Sequence, residues 1–245
     1  MTLASSAPLP PTPHVLSKTV VSPHLALPFR LRAAHAGATR RPLLLLLHGA
    51  GGDESSLAPL VPLLPPDVGV ALVRAPLAAA QGGYAWYTLR ETALGLRPDT
   101  DQAEAARQLL LRFIDQLRQV HPFDPRQLYV AGFSQGAVIA ASVGLTRPDK
   151  VAAIGMLSGR ILSQVKWQLA PTDQLARLHA FLAHGGADDV IPCEHAVDTM
   201  HTLAEHRVRL VYRDYPGGHE ISHEMARDFA AWVAQRARVA YEPPR

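Results

Sequence analysis

Residues 128–141, LYVAGFSQGAVIAA, hold one serine between two glycines, after an apolar run and before small apolar residues. The apolar run predicts a buried strand and the segment 135–146 predicts a helix, so Ser134 stands at the turn between them. Gly132, Ser134 and Gly136 fit the pattern G-x-S-x-G in the strand–turn–helix context that it requires. Ser134 is therefore a candidate nucleophile; the alternative is a serine that only caps a helix after a tight turn.

Steric crowding explains why glycines flank this serine. A nucleophile at such a turn has strained backbone angles, and larger neighbouring side chains would collide with the adjoining strand and helix. The hydroxyl then projects above the edge of the sheet. The N-terminus of the following helix lies beside it and favours negative charge that develops during a reaction.

Apolar runs alternate with helical patterns along the chain. We predict strands at 25–34, 42–48, 68–76, 127–133, 151–157, 178–185 and 208–215. We predict helices at 53–64, 99–121, 135–146, 192–206 and 220–239. This alternation predicts an α/β fold with a mostly parallel central sheet, helices on both faces, and functional loops at the carboxyl ends of the strands.

Composition limits the classes of protein. The length of 245 residues and a hydrophobic share of 48% fit a single domain, which we assign to residues 25–245. Residues 1–24 read as a proline-rich flexible leader. A formal charge of +3 with scattered arginines argues against a nucleic-acid partner. No signal peptide and no apolar run long enough to span a bilayer is apparent, so we expect a cytoplasmic protein without stable membrane anchoring.

A nucleophilic serine needs a base and an acid, which follow it in the chain order of this fold class. His219 lies in the loop after the last predicted strand, whereas His223 falls in the closing helix and is expected at the surface. Asp188 and Asp189 follow the strand before it, in HGGADDVIP. We choose Asp188 as the acid; an ordinary turn or helix cap is the alternative for this pair.

Negative charge on a reacting oxygen needs hydrogen-bond donors. We expect one from the backbone N–H of Gln135 and another from Ala50, in the glycine-rich loop of LLHGAGGDESS. This loop lacks the patterns of nucleotide-binding loops, so we expect no cofactor. His201 and His206 are five residues apart, which is not the spacing of a helical zinc pair, and we expect no metal.

Six segments occur together in a fixed order: LLHGAGGDE, RAP with GGYAWY, FDPRQLYVAGFSQGA, LSG, HGGADDVIP and YPGGHEI. This combination resembles the phospholipase/carboxylesterase family over about residues 40–235. The resemblance implies the α/β-hydrolase fold without a large lid, with Ser134 as nucleophile, Asp188 as acid and His219 as base. It also implies oxyanion donors at Ala50 and Gln135. The substrate-pocket residues that we assign are Trp86, Tyr87 and Ile191.

The predicted function is that of a carboxylesterase-type serine hydrolase. It would cleave short- to medium-chain carboxylic esters through a Ser-Asp-His triad and an acyl-enzyme intermediate. A thioesterase acting on acylated proteins or small thioesters is the alternative within the same chemistry. A non-catalytic binding protein with the hydrolase fold is the alternative of another class. The expected partner is a small-molecule ester; a homodimer is left open.

Overall fold

The computed structural model describes residues 15–35, 41–92, 95–121 and 123–239. The first fourteen residues of the predicted leader 1–24 therefore lie outside the described residues. Residues 15–24, in contrast, contact the domain: Ser17 N–H donates to Leu31 O at 2.8 Å, and Val20 forms an isolated bridge with Phe29. The domain boundary itself stays a prediction.

Seven of the described strands form one sheet in the order β1-β3-β2-β8-β9-β10-β11, in which only β1 is antiparallel to its neighbour. Two short hairpins, β4–β5 and β6–β7, stand apart from it. The strands are β1 (Phe29–Arg32), β2 (Leu43–Leu47), β3 (Gly69–Val73), β4 (Leu77–Ala78), β5 (Tyr84–Ala85), β6 (Leu89–Thr92), β7 (Gly95–Pro98), β8 (Leu128–Phe133), β9 (Ala153–Leu157), β10 (His179–Gly185) and β11 (Arg209–Tyr215).

Helices cover both faces of the sheet, so the predicted mostly parallel α/β architecture is confirmed. They are α1 (Thr100–Val120), α2 (Gln135–Thr146), α3 (Ser163–Lys166), α4 (Thr172–Leu175), α5 (Glu194–Glu205) and α6 (His223–Val239), with 3₁₀ helices at Ala58–Leu63 and Pro125–Gln127. Among the described residues, none of these helices is long and apolar enough to cross a membrane.

The five consecutive leucines of β2 show why its sequence has no polar alternation. Leu43, Leu45 and Leu47 pack into the core that includes residues of α1, α2 and α5. Leu44 and Leu46 point to the opposite face and pack with residues of α6 and the first 3₁₀ helix. A strand covered on both faces must be apolar at every position.

The predicted helix 53–64 is the clearest local difference. Instead of capping a helix, the Asp53 carboxylate accepts the backbone N–H of Ser55 at 2.7 Å, and only the 3₁₀ helix Ala58–Leu63 follows. Pro59 and Pro62 have no N–H, so neither can donate the i→i−4 bond of an α-helix. By contrast, α1 begins as predicted, because the Asp99 carboxylate accepts two backbone N–H groups of its first turn.

Backbone segments approach each other closely where β8 turns into α2. Gly132 pairs with Leu47 of β2, so the first turn of α2 rests on the end of that strand. A Cβ atom on Gly136 would lie 2.0 Å from the carbonyl oxygen of Leu47, and one on Gly132 would lie 2.4 Å from the carbonyl carbon of Gly136. Only glycine fits at both positions. The turn that carries Ser134 is consequently held at the carboxyl edge of the sheet.

We expect Gly136→Ala to lower the free energy of unfolding by about 3 kcal/mol or more, because the added methyl group meets rigid backbone. Urea unfolding of both proteins measures the difference. Gly186→Ala is the matched control, since its Cβ would lie 3.5 Å from the nearest atom, Tyr215 O. The free energy of unfolding of this control should stay within about 1 kcal/mol of the wild-type value. Equal losses for the two variants would contradict this account of the turn.

Candidate active site

Ser134 lies at the point where β8 ends and α2 begins. Its φ of 52° belongs to the left-handed region, which is uncommon for a residue with a side chain. Its backbone N–H donates to Leu157 O of β9 at 3.0 Å, and its carbonyl accepts Val138 N–H at 3.1 Å. These bonds stabilise the strained turn. Ser134 keeps 9% of its surface exposed, so the hydroxyl is shielded without being sealed off.

The His219 ring lies between the Ser134 hydroxyl and a carboxylate. Its Nε2 is 2.9 Å from Ser134 Oγ, and its Nδ1 is 2.8 Å from Asp188 Oδ2. The ring also packs against Phe133, with ring centroids 4.9 Å apart. His219 follows β11, and His223 is the first residue of α6 and exposed. The structure thus brings together the three side chains that the sequence singles out.

Asp188 lies in the loop after β10, and its side chain is fully buried. Its Oδ1 accepts the backbone N–H groups of Val190 at 3.0 Å and Ile191 at 2.8 Å. Burial alone would raise the pKa of this carboxyl, but hydrogen bonds from those N–H groups and the His219 ring outweigh it and hold that pKa below its ordinary value. Asp188 is therefore ionised at neutral pH. Asp189, in contrast, is exposed.

His184 is a neighbour of this site that the sequence does not reveal. Its Nε2 donates to Ile191 O at 2.7 Å and lies 3.4 Å from Asp188 Oδ2. The imidazole is buried, and its Nδ1 has no hydrogen-bond partner among the described residues. His184 holds the backbone that binds the carboxylate. His184 lies within β10, and no local signal in the sequence marks this role.

The two expected oxyanion donors belong to different loops. Gln135 is the first residue of α2, so its backbone N–H has no acceptor within the helix. The N–H of Ala50 has no acceptor among the described residues, while the next residue, Gly51, has a φ of 76°. Backbone N–H groups free of protein partners are what an oxyanion requires.

Side-chain hydrogen bonds join these two loops. Trp86 Nε1–H donates to His48 O at 2.9 Å, next to the glycine-rich loop. The Gln135 amide accepts Trp86 N–H at 3.1 Å and donates to Tyr87 O at 2.9 Å. Trp86 is 0% exposed, so the structure places this predicted pocket residue in the core, as a support for the loop. Tyr87 is also buried, and Ile191 is half-buried.

His48 is buried and neutral. Its Nε2 accepts Ala75 N–H at 3.0 Å, so the ring proton is on Nδ1, which donates to Gly49 O at 2.7 Å. Burial lowers the pKa of His48, in keeping with this neutral form. His48 shapes the glycine-rich loop. Within the described ranges, no group of three or more His, Cys, Asp or Glu side chains is arranged to hold a metal ion.

A charged network supports the same loop from outside. Tyr84 exchanges two backbone hydrogen bonds with it, to Gly51 N–H at 2.9 Å and Gly52 O at 2.7 Å. The Arg74 guanidinium lies 4.6 Å from the centroid of the Tyr84 ring and donates to its hydroxyl at 3.2 Å. Arg74 also makes two 2.5 Å hydrogen bonds to the buried Glu54 carboxylate.

Comparison with known proteins agrees with these features. Residues 32–236 match the Phospholipase/Carboxylesterase family. Acyl-protein thioesterase 1 of Mycosarcoma maydis is 32% identical over 118 residues, which are 46% of this chain and 49% of that protein, so the match spans about half of that relative. MhqD of Bacillus subtilis (strain 168) is 26% identical over 195 residues, covering 79% of this chain and 92% of that protein. The crystal structure of a carboxylesterase from Mesorhizobium loti has a TM-score of 0.75 at 24% identity, covering 89% of this chain and 99% of that one, and shows the same fold.

The Glu54–Arg74 pair predicts that the folded state becomes less stable in acid. Hydrogen bonds from Arg74 lower the pKa of Glu54 from 4.5 to about 2. Because the folded-state pKa is depressed, the stabilisation is complete above about pH 4.5 and is lost as the pH falls towards 2. Glu54→Gln should lower the free energy of unfolding by about 1–3 kcal/mol at pH 7. This loss relative to the wild type should become smaller below about pH 4.

Chemical unfolding of both proteins between pH 7 and 3 measures this difference. Glu205→Gln is the control, because Glu205 is exposed at the end of α5 and has no ion pair among the described residues. A Glu54→Gln penalty that is constant over this pH range would contradict the assignment.

Proposed function

This chain belongs to the phospholipase/carboxylesterase family and has the α/β-hydrolase fold, and we propose that it cleaves carboxylic esters with Ser134 as nucleophile, His219 as base and Asp188 as acid. The observation that carries the proposal is the continuous hydrogen-bonded row from the Ser134 hydroxyl through the His219 ring to the Asp188 carboxylate, at 2.9 and 2.8 Å. These are the distances required for proton transfer from the nucleophile.

In the first half of the reaction, His219 Nε2 takes the hydroxyl proton while Ser134 Oγ bonds to the ester carbonyl carbon. Asp188 accepts the Nδ1–H of the ring, which selects the tautomer with a free Nε2 and stabilises the imidazolium that forms. The intermediate collapses when the imidazolium protonates the departing alcohol. An acyl-enzyme remains, and a water molecule activated by the same ring releases the carboxylic acid.

The tetrahedral intermediate carries its negative charge on the former carbonyl oxygen. We assign its stabilisation to the backbone N–H groups of Ala50 and Gln135. The Gln135 amide and the Trp86 indole support this role, because they tie the two donor loops together before substrate arrives. Donors held in advance need no reorganisation during the reaction, which is the main advantage of such a site over water.

The acyl group contacts the surface around Ser134. Ala50 has a small, exposed side chain and Ile191 is half-buried, and we propose both as contacts for short- to medium-chain acyl groups. We propose Tyr87, with 4% of its surface exposed, as a wall of this surface, whereas Trp86 is fully buried and does not touch substrate. Localisation in the cytoplasm and a homodimer stay predictions from the sequence.

A thioesterase is the second candidate. It is favoured by the similarity to acyl-protein thioesterase 1 of Mycosarcoma maydis. The same residues would cleave a thioester, since its carbonyl carbon accepts the same nucleophile. Rates for an oxyester and a thioester of the same acyl chain, measured side by side, distinguish the two preferences. Failure of the wild-type protein to react with a fluorophosphonate would favour the non-catalytic alternative.

We expect Ser134→Ala to lower kcat for a p-nitrophenyl ester by about 10⁴–10⁶-fold, because the nucleophile is lost. Labelling by a fluorophosphonate probe should disappear as well. Ser142→Ala is the matched control: Ser142 lies in α2, and its hydroxyl donates to Val138 O far from His219. It should keep labelling and activity. A Ser134→Ala protein that is folded and fully active would rule out the proposed nucleophile.

Asp188→Asn should cost about 10⁴-fold in kcat, because an amide in this position favours the wrong tautomer of His219. Asp189→Asn should change kcat by less than a few-fold, since Asp189 is exposed. Steady-state kinetics on both variants, with circular dichroism to verify folding, make the comparison. The reverse ranking would identify Asp189 as the acid.

A further inference from the structure

A cavity with a volume of about 280 Å³ lies at the carboxyl edge of the sheet. It is bordered by the end of β7, the segment that follows β9, and the first turn of α5. Three of its lining side chains are cationic: Arg97, Arg160 and Lys166. Asp198 is the acidic residue of the lining, so the cavity has a positive balance.

Arg160 is held in place by a neutral partner. Its Nη1 donates to His195 Nε2 at 2.9 Å, which orients the guanidinium but leaves its charge uncompensated. Among the described residues, no carboxylate lies within ion-pair distance of Arg160, Arg97 or Lys166. Arg74, which is also half-buried, has a carboxylate partner, whereas Arg236 resembles Arg160 in bonding a histidine, His179. Arg160 differs from both in lining a cavity at the carboxyl edge of the sheet, where Ser134 also lies.

The electrostatic environment of Arg160 is unfavourable in the absence of an anion. Burial lowers its pKa, Arg97 lowers it further by repulsion, and only Tyr87 acts in the opposite sense. A like charge near a partly desolvated guanidinium raises the free energy of the site. An anion between them would form charge-assisted hydrogen bonds and relieve the repulsion.

Two connections link the cavity lining to the proposed catalytic centre. Leu157 O accepts the Ser134 N–H, and Arg160 follows only three residues later in the chain. Tyr87 lies close enough to Arg160 to shift its pKa, and its carbonyl accepts the Gln135 amide. These links place Arg160 on the same edge of the sheet as Ser134.

We propose that this cavity binds a carboxylate carried by the substrate, so that the enzyme prefers esters with a free carboxylate, such as hemiesters of dicarboxylic acids. This inference rests on the proposed function. Arg160 is the principal contact, because it is the best oriented of the three cations, and a guanidinium binds a carboxylate with two parallel hydrogen bonds. Arg97 and Lys166 add attraction from the rim.

The test compares matched esters. In the first pair the charge is on the acyl side: the p-nitrophenyl monoester of glutaric acid has a free carboxylate, and p-nitrophenyl pentanoate has none. In the second pair the charge is on the alcohol side: the butyrate ester of 4-hydroxybenzoate has a free carboxylate, and the butyrate ester of methyl 4-hydroxybenzoate has none. The readout is the ratio of kcat/KM for the charged ester to that for the neutral ester.

For at least one pair, Arg160→Gln should lower this ratio about 10-fold or more, as expected for a lost charge-assisted contact. Arg97→Gln, a change at an exposed residue, should lower the ratio in the same direction by about 2-fold or more. Asp198→Asn should raise it, because a repelling charge is removed. Arg227→Gln is the control; it removes one exposed positive charge on α6 and should leave the ratio unchanged.

A second measurement does not need turnover. Calorimetric titration of glutarate into the Ser134→Ala protein should show binding that is weakened about 10-fold by adding Arg160→Gln. If neutral esters are hydrolysed but neither arginine variant changes the ratio for either pair, the cavity is solvated surface and the inference is overturned. If no ester is hydrolysed, the proposed function fails, and the glutarate titration alone decides whether the cavity binds a carboxylate.

Discussion

The contact between the β8–α2 turn and the end of β2 is the constraint on which the other features depend. Gly136 rests against Leu47 O with no room for a side chain, and this fixes how α2 leaves the sheet. The turn into α2 holds Ser134 at its strained φ, and Gln135, as the first residue of the helix, has a free backbone N–H. One turn thus positions both the proposed nucleophile and one proposed oxyanion donor.

The buried carboxylates of Asp188 and Glu54 are both paired. Asp188 is stabilised by two backbone N–H groups and a histidine, and Glu54 by an arginine and a threonine. Each carboxylate stays ionised because the hydrogen bonds outweigh the cost of burial. Arg160, in contrast, bonds a neutral imidazole and has no carboxylate partner among the described residues. Its cavity is distinguished by two further cations and by its position at the carboxyl edge of the sheet.

Support for the glycine-rich loop comes from residues far away in the chain. Trp86 binds the carbonyl of His48, the Gln135 amide binds the backbone of residues 86–87, and Tyr84 pairs with the loop itself. A glycine-rich segment is flexible on its own, because glycine loses the most conformational freedom on folding. The surrounding hydrogen bonds hold it in the one conformation that leaves the Ala50 N–H available.

The sequence by itself determined the main strands and helices, the turn at Ser134 and the candidate residues Asp188 and His219, because apolar periodicity, glycine positions and chain order are local properties. It did not reveal the short hairpins, the 3₁₀ helix in place of helix 53–64, or the buried position of Trp86. Only the tertiary structure decided the contacts of His184, the hydrogen bonds of the Gln135 amide to residues 86–87, and the unpaired charge of Arg160. They join side chains separated by up to 49 residues, and only the packing of strands and helices fixes which polar groups meet.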